Sequence, residues 1–328
     1  MTVSERLTDN LRQQGSDARV VSTEPLSGGA CQDLFRVVLE CDGIEENWVL
    51  RSDALTSLPG SISRAEEYPV VRAANAAGVP TPQVRWFGEG IVRDGAGAYM
   101  MEWCDGIALG GKVVRHPSLA AAREGLPEQL AQALAAIHGV TPPSGMKGPA
   151  EGQGAAHWAL SRLRGSLDRL PSARPDLELA YRWLSENTPD DPTGLVHGDF
   201  RVGNFLVDNS GLTAVLDWEF THRGSPFEDM GWLSVRDWRF GVLDKPVGGL
   251  CDRARFYAAY EAAGGIAVNP ESVHFWEVFG NMSWATGALW QTQRYLDGEY
   301  DFELLAIGRR TAEMTYEALR LIERGVWQ

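Results

Sequence analysis

The 328-residue sequence has very few lysines and no excess of positive charge. Its only lysines are Lys112, Lys147 and Lys245, so arginine supplies nearly all of the positive charge, and the net charge is −14. Nucleic-acid binding is disfavoured, because neutralising a phosphate backbone needs a basic face. The acidic balance suits a cationic substrate, or it serves solubility alone.

Cysteines and long apolar runs are also scarce. The four cysteines form no C-x-x-C pair and no histidine cluster accompanies them, which disfavours structural zinc and favours free thiols in a reducing compartment. No run reaches the roughly 18 apolar residues of a membrane span. The first ten residues lack the apolar core of a signal peptide. We therefore expect a cytoplasmic protein that binds neither nucleic acid nor membranes.

The order of predicted elements indicates a small lobe of strands followed by a larger helical lobe. A polar helix is predicted at 1–14, and a helix at 61–77 contains Pro69 and begins after Ser61 or Ser63. Strands are predicted at 34–40, 48–51, 84–87 and 98–103. Helices are predicted at 126–139, 156–170 and 176–187, after a glycine-rich linker or insertion at 106–125, and helical patterns fill the chain from 251. We expect an α+β fold with lobes at 1–104 and 105–328.

The most informative stretch is a predicted β-hairpin within 195–220. The turn signal at 209–211 lies between two apolar runs. Counting outward from this turn places Asn204 opposite Val215, so Asn204 and Asp217 leave the hairpin at the same open end. Asp199 lies on the loop that leads to that end. Three oxygen-bearing side chains are therefore expected to converge.

This convergence suits phosphoryl transfer. Magnesium takes oxygen ligands, commonly one or two carboxylates together with phosphates and water, and Asn204 and Asp217 supply such oxygens. A separate carboxylate, Asp199, is then available to orient or deprotonate the attacking hydroxyl. Because the transition state is loose, positioning and charge neutralisation supply most of the catalysis.

These motifs resemble those of the aminoglycoside phosphotransferase and choline kinase superfamily, whose members are relatives of eukaryotic protein kinases. The string from His197 to Asn204 is similar to H-R-D-x-x-x-x-N, and Asp217 takes the position of the aspartate in D-F-G. The segment 224–229 resembles the family's G-D-P-x-x-D, in which Asp229 is expected to hold the catalytic loop. The resemblance covers most of residues 20–240 in the correct order. It implies a bilobal, protein-kinase-like fold that uses ATP, or GTP, with Mg²⁺.

The resemblance also implies a set of nucleotide-binding residues. Backbone groups at Glu102 and Cys104 would hold adenine, and a phosphate loop would include Ser27, Gly28 and Gly29. This loop is not a G-x-G-x-x-G, although its small residues permit a close backbone approach.

The strand lysine of kinases is replaced here by an arginine. Arg51 takes the position of that lysine, with Glu67, or alternatively Glu66, as its partner. Arginine is a broader, bidentate phosphate ligand and is not a neutral replacement for lysine.

The acceptor implied by the resemblance is a small-molecule hydroxyl. Only 11 residues lie between Asp217 and Asp229, too few for the peptide-binding activation segment of protein kinases. The expected acceptor is an aminoglycoside or another hydroxylated metabolite, with a hydroxyacyl-CoA as an alternative. A nucleotide-binding pseudokinase with a regulatory role is a further alternative. Candidates for acceptor contacts, each also compatible with a surface salt bridge or with core packing, are Arg201, Trp276, Asn281, Trp284 and Trp290.

Overall fold

The first lobe is built on an antiparallel sheet. The computed structural model describes residues 1–26, 32–56 and 58–326. The five strands of this sheet are β1 (Arg19–Pro25), β2 (Gln32–Cys41), β3 (Ile44–Asp53), β4 (Val84–Glu89) and β5 (Gly97–Glu102). They are ordered β1-β2-β3-β5-β4, with every neighbouring pair antiparallel. At the turn between β2 and β3, Asp42 and Gly43 both have positive φ, at 51° and 78°. This is the backbone that matches a two-residue hairpin loop to strand twist.

Two helices cover opposite faces of the sheet. Helix α1 (Val3–Gln13) buries Leu7 and Leu11 in a cluster with Leu50 of β3. Helix α2 (Arg64–Ala76) begins at a capping box formed by Ser63 and Glu66, and Pro69 lies inside it. Adjacent residues of a strand point to opposite faces, so Leu50 and its neighbour Arg51 face different helices.

The second lobe is mainly helical, with four short strands that form two two-stranded sheets, one of which is the predicted hairpin. Its helices are α3 (Gly110–Arg115), α4 (Ala120–His138), α5 (Ala155–Leu167), α6 (Pro175–Glu186), α7 (Pro226–Leu233), α8 (Arg253–Ala262), α9 (Pro270–Leu296), α10 (Phe302–Gly308) and α11 (Arg310–Arg324). Its strands are β6 (Gly194–Val196), β7 (Phe205–Asp208), β8 (Gly211–Val215) and β9 (His222–Gly224). The α+β fold expected from the sequence, a small sheet lobe followed by a larger helical lobe, is confirmed.

The prediction of a linker or insertion at 106–125 is wrong for much of this segment. Helix α3 occupies part of it, and α4 begins six residues before the predicted start at 126. The glycines at 110 and 111 obscure α3 in the sequence, because glycine disfavours helix interiors. Burial of Val113 and Val114 anchors the helix nevertheless.

The largest hydrophobic cluster includes residues from both lobes. Val70 and Val71 of α2 and Tyr99 of β5 belong to the same cluster as Leu134 of α4 and Phe205 of β7. The lobe boundary at 104 stays a prediction, since the core is continuous across it. Within the described ranges, no helix is both long enough and apolar enough to cross a membrane.

Candidate active site

The predicted hairpin is present as β7 and β8, but its predicted register is wrong by one residue. Phe205, and not Asn204, pairs with Val215. The register shifts between the pairs formed by Leu206 and Val207, which leaves Thr213 as the extra residue of a bulge. A bulge adds one residue to one strand only, so counting from the turn gives the wrong partner beyond it.

Despite this shift, the open end of the hairpin brings the expected side chains together. The Asn204 carbonyl accepts a hydrogen bond from the Leu216 amide at 2.8 Å. The Asn204 amide nitrogen, Nδ2, donates to Asp199 Oδ2 at 2.6 Å and to the Asp199 carbonyl at 3.0 Å. Burial raises the pKa of Asp199, and the nearby charge of Asp217 adds to this effect although Arg201 opposes it.

Asp217 has an unusual backbone at the same end of the hairpin. Its φ is 68°, a left-handed conformation that is rare for residues other than glycine and is concentrated at functional sites. Its Oδ1 accepts a hydrogen bond of 2.7 Å from Arg51 Nη2. Burial alone would raise the pKa of Asp217, but the charge and hydrogen bond of Arg51 outweigh burial and lower it.

Arg51 pairs with Glu67 and not with Glu66. The guanidinium donates through Nε to Glu67 Oε2 at 3.0 Å and through Nη2 to Glu67 Oε1 at 2.9 Å. Arg64 and the Tyr99 hydroxyl also contact the Glu67 carboxylate, at 2.8 and 2.9 Å. Burial alone would lower the pKa of Arg51, yet the adjacent carboxylates raise it well above its ordinary value. Arg51 therefore remains a cation that links the sheet, α2 and Asp217.

The end of β5 runs beside the hairpin, where the adenine contacts were expected. The Glu102 amide donates to the Gln83 carbonyl at 2.8 Å. Two hydrogen bonds between Ile107 and Val207, of 2.8 and 3.2 Å, attach the following segment to β7. Burial, with help from neighbouring acidic residues, raises the pKa of the Cys104 thiol to about 11, so the thiol stays protonated.

The phosphate loop expected from the sequence includes three small residues. Ser27, Gly28 and Gly29 lie outside the described residues.

Asp229 holds the loop that carries Asp199, as expected from the sequence. Its carboxylate accepts hydrogen bonds from the His197 amide at 2.8 Å, from the Gly198 amide at 2.9 Å and from His138 Nε2 at 3.2 Å. Burial alone would raise the pKa of Asp229, but these donors outweigh it and lower the pKa. The loop that carries Asp199 is thus fixed through its backbone by α7.

Two of the candidate acceptor residues are in the core. Trp276 is 0% exposed, and its indole N–H donates to Asp191 at 2.7 Å. Asn281 is also 0% exposed, and its side chain bonds the Glu277 carbonyl at 2.8 Å. Both side chains face inward from α9 and pack in the core. This is one of the two possibilities that the sequence left open for them.

Two other acceptor candidates, Arg201 and Trp284, belong to an aromatic group that reaches Asp199. Arg201 donates through Nε to Asp199 Oδ1 at 2.9 Å, and its guanidinium lies 4.4 Å from the centre of the Trp238 ring. Trp284 lies 5.1 Å from Trp238 and donates its N–H to Asp237 at 2.6 Å. The fifth candidate, Trp290, is half-buried and lies outside this group, with the Arg169 guanidinium 5.9 Å from its ring centre.

Trp232 and Trp238 were missed by the sequence reasoning. Trp232 Nε1 donates to Asp199 Oδ1 at 2.7 Å, and its ring lies 5.7 Å from that of Trp238. The sequence contained one signal for Trp232, because it follows Asp229 by three residues and therefore shares a helix face with it.

Glu219 was also missed, although it follows Asp217 by only two residues. It is 5% exposed, with Arg64 Nη2 at 3.6 Å from Oε2. Burial and the charge of Asp217 raise its pKa to about 7.

The oxygen atoms at the open end of the hairpin fit a magnesium ion. Asn204 Oδ1 accepts no hydrogen bond within the described part of the chain, since the amide bonds Asp199 only through its nitrogen. The Asp217 side chain is 24% exposed. Residues 1–26, 32–56 and 58–326 contain no group of three or more His, Cys, Asp or Glu able to hold a metal. A magnesium ion here would therefore need the Asn204 oxygen and oxygens from a bound phosphate or water.

Comparisons with known proteins agree with this fold. The chain is similar in structure to a protein from Ralstonia eutropha JMP134 described as a candidate aminoglycoside phosphotransferase, with 23% identity, a TM-score of 0.74 and 98% of each chain covered. It is also similar to a thermostable mutant of the aminoglycoside phosphotransferase APH(4)-Ia, solved with AMP-PNP and hygromycin B. In that case the identity is 19%, the TM-score 0.64, and the coverage 96% of this chain and 97% of the other.

A curated relative is much longer than this chain. The mouse acyl-CoA dehydrogenase family member 10 is 30% identical over 190 residues, which are 54% of this chain and 17% of the mouse protein. The model of the APH phosphotransferase enzyme family matches residues 22–276, which include every charged residue of the site described above. The chain therefore belongs to the APH phosphotransferase enzyme family.

Proposed function

We propose that this protein transfers the γ-phosphate of ATP to a hydroxyl group of a small molecule, with Mg²⁺ as the metal. The observation that carries the proposal is the contact of Asp199 with Asn204 at a hairpin end that also holds Asp217 and Arg51. In this proposal these side chains supply a base, metal-binding oxygens and a phosphate-binding cation in one place, the combination that phosphoryl transfer needs.

Each group has a distinct part in this proposal. Asp199 accepts the proton of the attacking hydroxyl, and Arg51, held by Glu67, contacts the nucleotide phosphates. Backbone groups at Glu102 and Cys104 bind the nucleobase. Asn204 and Asp217 would hold Mg²⁺, which neutralises phosphate charge.

Aromatic rings border the proposed base on the acceptor side of the site, which suits an acceptor with apolar parts. Arg201 lies beside Asp199 and stacks on Trp238, so a positive charge and aromatic surface border the base. Asp199 compensates the charge of this guanidinium, so the aromatic surface is the feature that distinguishes between acceptors here. A hydroxyacyl-CoA is therefore the second candidate acceptor, and the name of the mouse acyl-CoA dehydrogenase relative supports it. We also propose a cytoplasmic location, supported by the free thiols of Cys41, Cys104 and Cys251.

The direct test is an acceptor panel with ATP and Mg²⁺, in which product mass is measured. The panel contains aminoglycosides, macrolides, amino alcohols and hydroxyacyl-CoAs, and a parallel series replaces ATP with GTP. We expect a mass increase of one phosphate on one class, and no increase when Mg²⁺ is chelated.

The matched variant is Asp199→Ala, which should abolish turnover while MgATP still binds. A variant that retains the wild-type rate would contradict the role of Asp199. Thermal stabilisation by nucleotide without transfer to any acceptor would instead favour a pseudokinase.

A further inference from the structure

Helix α7 contacts the catalytic loop twice, once through Asp229 and once through Trp232. We infer that Trp232 is a positioning residue that orients the Asp199 carboxylate, so that Oδ2 and not Oδ1 receives the proton of the acceptor hydroxyl. The inference rests on the proposed function, since it assigns an atom to the proposed base.

The hydrogen bonds of Asp199 distinguish its two oxygens. Oδ1 accepts from Trp232 Nε1 at 2.7 Å and from Arg201 Nε at 2.9 Å. Oδ2 accepts only from Asn204 Nδ2, at 2.6 Å, within the described residues. Each carboxylate oxygen has two lone pairs in the carboxylate plane, so Oδ1 is saturated and Oδ2 keeps one lone pair. The acceptor hydroxyl can hydrogen-bond to the base only through Oδ2.

The indole suits this task because its N–H is a donor and cannot accept. It therefore holds Oδ1 without competing for the transferred proton. Its ring is also held in place, because it lies against Trp238, which in turn stacks on Arg201, the other donor to Oδ1. Both donors to Oδ1 are thus fixed by one aromatic surface.

Asp229 and Trp232 lie three residues apart in α7 and point to the same side. Asp229 fixes the backbone at His197 and Gly198, while Trp232 fixes the side chain of Asp199. One short helix therefore sets both the position of the loop and the orientation of its carboxylate.

With Asp199 in this orientation, the bond that forms at phosphorus is matched by one that breaks, and the proton has a defined acceptor. The acceptor oxygen forms a bond to the γ-phosphorus as its proton passes to Asp199 Oδ2. The bond between the γ-phosphorus and the bridging oxygen breaks, and ADP leaves with the electron pair.

The test replaces Trp232 with Phe, which keeps an aromatic ring and removes the N–H. The matched control is Trp276→Phe, which removes an indole N–H that donates to another carboxylate, that of Asp191, at the same distance of 2.7 Å. Crystal structures of both variants and of the wild type give the orientation of the Asp199 carboxylate. MgATP turnover is measured with each member of the acceptor panel and with water alone as acceptor.

In Trp232→Phe we expect the Asp199 carboxylate to rotate or to occupy two orientations. Turnover should fall about 10- to 100-fold, because small misplacements of a reacting group are costly, while the KM for MgATP stays within about twofold. Trp276→Phe should lose stability but keep one Asp199 orientation. Trp232→Leu repeats the test if the Phe variant does not fold.

A single, unchanged Asp199 orientation in Trp232→Phe would overturn the inference, as would an equal loss of turnover in Trp276→Phe. Failure of the proposed function has a different signature. If the wild type transfers phosphate to nothing, the function is refuted, while the crystal structures still decide whether Trp232 orients Asp199.

Discussion

Replacing Arg51 with lysine tests why an arginine stands where kinases have a lysine. Arg51 is 4% exposed and makes three hydrogen bonds from two of its nitrogens, two to Glu67 and one to Asp217. Lysine keeps the charge, but it places all of its donors on one atom at the end of a different stem. It cannot reproduce the bidentate pair with Glu67 and also reach Asp217.

The magnitude follows from the lost hydrogen bonds. A hydrogen bond to a charged group contributes about 1.5–3 kcal/mol, and we expect Arg51→Lys to lose two of the three. Glu67 keeps its contacts with Arg64 and Tyr99, so it is not left unpaired. The expected decrease in the free energy of unfolding is therefore near the low end of the sum for two bonds, about 3 kcal/mol. MgATP affinity should fall about tenfold, the equivalent of one lost phosphate contact.

Urea unfolding and calorimetric titration with MgATP measure these two effects. The control is Arg182→Lys, because Arg182 forms an exposed pair with Glu186, with the two side chains 78% and 60% exposed. Its expected change is below about 0.5 kcal/mol. An Arg51→Lys variant with wild-type stability and wild-type MgATP affinity would refute the reasoning.

Two further predictions concern the backbone of the catalytic loop and a buried histidine. In Gly198→Ala, at φ 78°, the new Cβ would lie 2.2 Å from the Phe220 carbonyl oxygen, so we expect a loss of at least about 2 kcal/mol in urea unfolding. Gly165→Ala, in α5 with nothing within 4 Å, should be neutral or stabilising. Burial lowers the pKa of His274 below 6.5, so the unfolded chain binds the proton first and stability should fall as the pH drops below 6.5. His274→Leu should reduce the difference between urea midpoints measured at about pH 7.5 and about pH 5.5, and an unchanged difference would exclude His274 as its source.

Local patterns predicted much of the fold and part of the site. Apolar periodicity identified most of α4, and short apolar runs identified β2, β3, β4 and β5, because these elements bury apolar side chains. The start of α2 was predicted at Ser61 or Ser63. The structure has it at Ser63, because Ser63 and Glu66 bond each other's backbone within one turn. Helix α3 could not be predicted from the sequence, because its stability comes from burying two valines and not from local propensity.

The sequence by itself determined the chemistry available at the site. The spacing of Asp199, Asn204 and Asp217 around a turn brings oxygen atoms to one end of a hairpin, because strand pairing is a local consequence of that turn. Only the tertiary structure decided which oxygen of Asp199 keeps a lone pair for the acceptor. That depends on Trp232, which α7 brings back against the loop from more than thirty residues further along the chain. It also decided that Trp276 packs in the core while Trp238 stacks on Arg201, because burial of an aromatic ring depends on which helices meet there and not on its position in the sequence.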